Sequence, residues 1–135
     1  MVVTTAIMCL ALNVYYEARS EPINGQIAVA NVTMRRAGWD QRNICREVFR
    51  PAQFSWTIKY AFKVKGGYGI RLTGLPQDVR AWDIAMRVAS AVLHHEVKSL
   101  MHGATYYHAD YVHPRWAKHL RYVGKIGHHL FYAQR

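Results

Sequence analysis

The chain has 135 residues, 51% of them hydrophobic and 19% charged, which suits one folded domain over residues 1–135 and excludes a disordered basic tail. With 18 Lys and Arg against 8 Asp and Glu, its formal net charge is +10, so an anionic partner is expected: a nucleic acid, a membrane surface or an acidic envelope polymer. Cys9 and Cys45 are too few for a disulfide framework and lack the paired spacing of a zinc site; they read as two buried thiols.

The N-terminal run MVVTTAIMCLALNVYY has no basic start and reaches Asn13 and Glu17 too early to span a membrane, so it reads as a core helix without an export signal. Val3, Ile7, Leu10, Ala11 and Val14 give residues 3–18 the helical rhythm, and Glu17 extends the same stripe. Ser20 is expected to cap a second helix, with Pro22 in its first turn and Gly38 as its stop. A short helix over Arg42 to Phe49 follows, ended by Pro51. Residues 51–75 are rich in Gly and aromatics and show no period, which predicts one long loop of the kind that carries function. Residues 77–97 regain helical spacing. The last third, through ATYYHA, HLRYV and HHLFYA, predicts short antiparallel strands separated by Gly124 and Gly127. The expected class is α+β, mainly helical, with a small antiparallel sheet.

Glu17 stands where a helix ends, in a chain with only 8 carboxylates. A carboxyl half-buried at such a place has its charged form disfavoured, so it keeps a proton near neutral pH and can deliver it to a leaving oxygen, as glycosidic cleavage requires. The bland alternative is a helix-end carboxylate bonded to Arg19 or another cation. Glu21 has two open readings: a second catalytic acid, or a first-turn carboxylate that stabilises the dipole of the second helix. Gln53, Phe54 and Ser55 on the expected loop, and Tyr106, Tyr107 and His108 on a strand, are candidate sugar-binding residues. Strand alternation puts Tyr106 and His108 on one face and Tyr107 on the other.

The run YYEARSEPINGQIAVANVTMRR resembles the signature of the SleB-like cell wall hydrolases, in which a helix ends in E-A-R-x-E-P before a G-Q helix with Asn or Arg near its end. VFRPAQFSW, ATYYHAD and RWAKHLRYVGKIGHHLFY resemble later elements of that family in the same order. ATYYHAD departs from the pattern, with His108 in place of the usual Phe and no Pro directly after it. The resemblance implies a lysozyme- and transglycosylase-like fold and a monomeric peptidoglycan glycosidase, most often a lytic transglycosylase. Glu17 would be its single acid and base, and it would need no cofactor and no metal. It also implies a structural role for His128. Lysozyme-type hydrolysis by Glu17 and Glu21 is the alternative. A compact, basic chain without a leader suggests a phage endolysin or virion-associated lysin, active from the host cytoplasm on the periplasm or wall, with its positive surface drawn to the anionic envelope. A zinc amidase lacks an H-E-x-x-H helix, and a nucleic-acid module lacks a basic arm or recognition helix.

Overall fold

The computed structural model describes all 135 residues. Val2–Val3 is a short strand, β1, and not the start of a helix. The Thr5 side chain then accepts the Met8 amide and caps α1, Ala6–Ala18. Cys9, Leu10, Ala11, Leu12 and Val14 are all buried, so α1 is apolar on every side and must be surrounded. It is: α2 (Ile23–Arg36), α3 (Gln41–Val48) and α5 (Val79–Leu93) pack around it. No helix is long and apolar enough to cross a membrane.

Ser20 does not cap α2. The backbone keeps turning past it, with the Glu21 amide donating to the Ala18 carbonyl at 2.9 Å, and Pro22 takes the cap position because it lacks an N–H to satisfy. Asp40 and Asp78 do cap, accepting the Arg42 and Ala81 amides at 3.0 Å each and fixing the starts of α3 and α5. The helix expected over 77–97 is shorter at both ends, stopping before His95, whose φ of 56° leaves the helical region.

Residues 51–75 are not one loop. They hold α4 (Ser55–Tyr60), a hairpin of β2 (Ala61–Val64) and β3 (Gly67–Ile70), and a 3-10 turn at Leu72–Gly74. With β1 these strands make an antiparallel sheet of order β1-β3-β2. Four-residue strands are too short to display a period, and one glycine here replaces a side chain for packing reasons: the Phe62 ring lies across Gly69, its pairing partner, where any Cβ would overlap it.

The predicted C-terminal strands are present as β4 (Tyr106–Ala109), β5 (Arg121–Ile126) and β6 (His129–Ala133), antiparallel in the order β4-β6-β5. Gly124 lies within β5, at a register irregularity, and does not separate strands. The cysteines are also other than expected: Cys9 and Cys45 form a disulfide joining α1 to α3, whose packing brings the two Cα atoms to 5.2 Å.

Two apolar clusters result. The larger gathers α1, α3, α5 and the first sheet; the smaller holds Ala18, Ala28, Val29, Val32, Ala104 and Phe131, where α2 meets the second sheet. Tyr15 belongs to the first cluster and Ala18 to the second. Glu17 therefore sits at the seam between them.

Candidate active site

The seam opens as a cleft of about 250 Å³. Glu17 reaches it from the last turn of α1, Thr33 and Arg36 from α2, Glu47 from α3, and Tyr106 and Tyr107 from β4. One turn beneath Glu17, buried Asn13 donates to Thr33 Oγ1 at 3.0 Å and accepts from Trp56 Nε1 at 3.2 Å, tying the end of α1 to α2 and α4. The Trp56 ring in turn stacks on Tyr16, centroids 4.9 Å apart. The helix end that carries Glu17 is thus held by both α2 and α4.

Glu17 has no cationic partner. The Arg19 guanidinium lies instead 4.7 Å over the Tyr15 ring. The one protein hydrogen bond to the carboxyl comes from Tyr107, whose hydroxyl donates to Oε1 at 2.7 Å. Burial pushes the Glu17 pKa up, and the Tyr107 bond opposes this only in part. Burial, and then the charge of Glu17, push the Tyr107 hydroxyl well above its ordinary value, so it stays a donor. Oε2 is left without a protein partner, which suits a group that must exchange a proton with a ligand.

One wall of the cleft is an ionic cluster that the motif reading missed. Buried Glu47 accepts from Arg36 Nε and Arg50 Nη2, both at 2.6 Å, while Gln53 donates its amide to Glu47 Oε1 and accepts from Arg36 Nη2, both at 3.3 Å. The remaining Arg36 nitrogen donates to the Thr105 carbonyl, and its guanidinium lies 5.2 Å over the Tyr106 ring. A buried carboxylate held by two arginines and an amide is fixed in place as part of the cleft wall.

The candidate residues divide accordingly. Gln53, Phe54, Tyr106 and Tyr107 line the cleft. Ser55 does not; it opens α4 and is exposed. His108 does not either. It shares a face with Tyr106 but lies further along β4, beside Tyr132, whose hydroxyl lies 2.9 Å from His108 Nε2, while Nδ1 sits 2.7 Å from the Ala109 carbonyl and donates to it. Trp116, on a 3-10 turn (Arg115–His119), completes the cleft and packs against Tyr106.

Glu21 does not line the cleft, and it precedes the first turn of α2. Its carboxylate accepts from the backbone amide of His128 at 2.6 Å and faces His128 Nδ1 at 2.9 Å. Burial pushes the Glu21 pKa up, but the side-chain and backbone bonds from His128, with the charge of His129, outweigh it and hold Glu21 below the ordinary carboxylate range. The Glu21 hydrogen bond in turn raises His128. The clamp needs Gly127, which has a φ of +56° and whose Cβ, if present, would strike the Glu21 carboxylate. No three His, Cys, Asp or Glu side chains converge as a metal-binding group.

The sequence profile of the cell wall hydrolase family matches residues 20–132. The chain belongs to the cell wall hydrolase family. Membership makes it a peptidoglycan-degrading enzyme. Glu17 lies just before the matched segment, so its place in the site rests on geometry. The catalytic domain of the germination-specific lytic transglycosylase SleB from Bacillus anthracis superposes with a TM-score of 0.69 at 25% identity, over 94% of this chain and 93% of that one. The SleB catalytic domain of Bacillus cereus gives 0.57 at 22% identity, over 94% and 89%, and shares the fold. No curated protein sequence matches.

Arg36 and Trp116 of this cell wall hydrolase were within reach of sequence reasoning, since both stand in the quoted motif runs. Glu47 had a weaker signal: it is another of the 8 scarce carboxylates on a short helix, but nothing in its neighbourhood names its partners.

Proposed function

We propose that this enzyme cuts the glycan strand of peptidoglycan as a lytic transglycosylase, with Glu17 as both acid and base. The observation that carries the reading is the solitary state of Glu17: it is the one cleft carboxyl without a cation, while Glu47 is held by two arginines and Glu21 by His128. The described activity of the Bacillus anthracis neighbour, a lytic transglycosylase at 25% identity, supports the same assignment.

Glu17 donates its proton to the oxygen that bridges N-acetylmuramic acid to N-acetylglucosamine. The C1–O bond breaks and an oxocarbenium-like centre forms. The muramyl C6 hydroxyl then closes on C1 and gives its proton to the Glu17 carboxylate, which leaves a 1,6-anhydro end and restores the acid. No second carboxylate takes part. An inverting hydrolase would need one at about 6.5–9.5 Å and a retaining one at about 5–5.5 Å. Tyr107 holds Oε1 and thereby orients the carboxyl; Tyr106, Trp116 and Phe54 offer aromatic faces for sugar rings. The positive surface holds the enzyme at the anionic envelope.

Mass spectrometry of digested peptidoglycan tests this. Products ending in 1,6-anhydro-N-acetylmuramic acid, lighter by one water than lysozyme products, are expected, with EDTA having no effect. Reducing-end muramic acid as the sole product would overturn the transglycosylase assignment in favour of hydrolysis.

A further inference from the structure

A second cavity, of about 670 Å³, shares Arg36 and Glu47 with the catalytic cleft, so this ion pair is the wall between the two. Its interior is aromatic: Phe49 and Tyr68 stack with centroids 4.4 Å apart. At its rim Ile58 and Phe62 are 68% and 41% exposed. Exposed apolar side chains that gather at a cavity are a mark of a binding surface. The charges there are one-sided. Glu47 is the only carboxylate of the lining and is already paired with Arg36 and Arg50. Arg46, from α3, bonds only the Asn43 amide, and Lys63, from β2, has no carboxylate partner, so both cations are free for an anionic ligand.

We propose that this cavity is the subsite for the peptide stem of the substrate strand, with Arg46 and Lys63 taking stem carboxylates over the aromatic floor. The inference rests on the glycosidase reading above. In peptidoglycan the stem leaves the muramyl ring through the lactyl group on C3, and C1 of that same ring is the carbon attacked. A strand seated with C1 at Glu17 therefore carries its stem out beside the cleft, and the neighbouring cavity is the one that adjoins the wall there. Stem peptides combine aliphatic side chains with carboxylates, the complement of an apolar floor with cations at its rim. A bare glycan keeps only the lactyl carboxylate of each muramyl ring, held close against the sugar, and has no aliphatic side chains for the apolar floor. Attraction to teichoic phosphates would draw on positive charge spread over the whole surface and would need no cavity.

The test compares kcat/KM for a soluble glycan oligomer bearing its stems with that for the same oligomer stripped by an amidase. The wild type should prefer the stem-bearing strand by roughly three- to tenfold, the scale of two ion contacts at a solvent-open rim. Arg46→Ala/Lys63→Ala should bring that ratio toward one. Arg80→Ala/Lys98→Ala, which removes equal charge from exposed positions outside the cavity, should keep it. Free stem peptide should also inhibit the wild-type enzyme on the stem-bearing strand, and its fully amidated form should not, which decides the matter even if the double variant folds poorly. A wild-type ratio near one, a ratio unchanged in the cavity variant or lost equally in the control, or equal inhibition by the acidic and amidated peptides would overturn the subsite. Cleavage of neither strand by the wild type would bring down the glycosidase reading and this one with it.

Discussion

Replacing Glu17 by Gln should abolish wall lysis and at the same time stabilise the protein at neutral pH. The amide is nearly isosteric, and its oxygen can still accept the Tyr107 hydroxyl that now bonds Oε1 at 2.7 Å, so the packing at the seam survives. What is lost is the transferable proton, and general acid catalysis alone accounts for about 10²–10⁴-fold in rate. The stability gain follows from burial, which raises the Glu17 pKa in the folded chain above its unfolded value. Below the unfolded pKa, near about pH 4, Glu17 is neutral in both states and costs nothing. As the pH rises through the folded pKa, the native state must bear a desolvated charge that the unfolded chain does not, and the stability contributed by the neutral carboxyl is lost. Glutamine avoids that penalty. Stabilising single substitutions commonly gain on the order of 1 kcal/mol, which for a chain of this size is about 3–5 °C in Tm. Calorimetry on both proteins at acid and neutral pH, with turbidity assays of lysis, reads both effects. The expected pattern is equal Tm in acid, a higher Tm for the variant at neutral pH, and no lysis. A folded variant that lyses walls near the wild-type rate removes Glu17 as the acid. A variant no more stable than wild type at neutral pH refutes the claim that burial penalises its charge.

Tyr107→Phe removes the bond that partly lowers the Glu17 pKa, so the alkaline limb of the pH–rate profile, where Glu17 loses its proton, should move to higher pH; an unmoved limb would mean that the two groups are not coupled in solution. Gly127→Ala should cost about 1–3 kcal/mol in urea unfolding, because φ is +56° and the new Cβ would also meet Pro22 Cδ at 2.9 Å; an unchanged midpoint would show that the Glu21–His128 clamp tolerates displacement. Cys45→Ser should lower stability by roughly 3–4 kcal/mol, as expected for a cross-link spanning 36 residues, and a stability identical to that of the oxidised protein would show that the bridge constrains little. Lysis of whole cells should fall with added salt more steeply than cleavage of a short soluble oligomer, and equal salt dependence would remove the envelope-targeting role of the +10 charge.

Much of the architecture could be read along the chain because it is encoded locally. The helical run of α1, the position of Glu17 in its last turn and the alternation of Tyr106, Tyr107 and His108 all follow from spacing of a few residues. Residues 51–75 failed to declare their hairpin because β2 and β3 have four residues each, and β3 spends two of them on glycine. Too few side chains remain there to show a period, and the pairing of Gly69 with Phe62 is visible only once the strands meet.

The sequence by itself determined which groups could do chemistry: a scarce acid at a helix end, two tyrosines and a histidine on one strand, and an excess of cations. Only the tertiary structure decided what each of them does. Glu17 gains its partner Tyr107 across 90 positions, and Glu21 gains His128 across 107. Glu47, unremarked along the chain, becomes a paired buried wall because α2 and α3 bring Arg36 to it. The physical reason is that the proton affinity of a carboxyl depends on its desolvation and on the charges and donors within a few ångströms. Those neighbours arrive from distant segments and are chosen by packing, so three chemically identical glutamates end up bonded to a tyrosine, to a histidine and to two arginines.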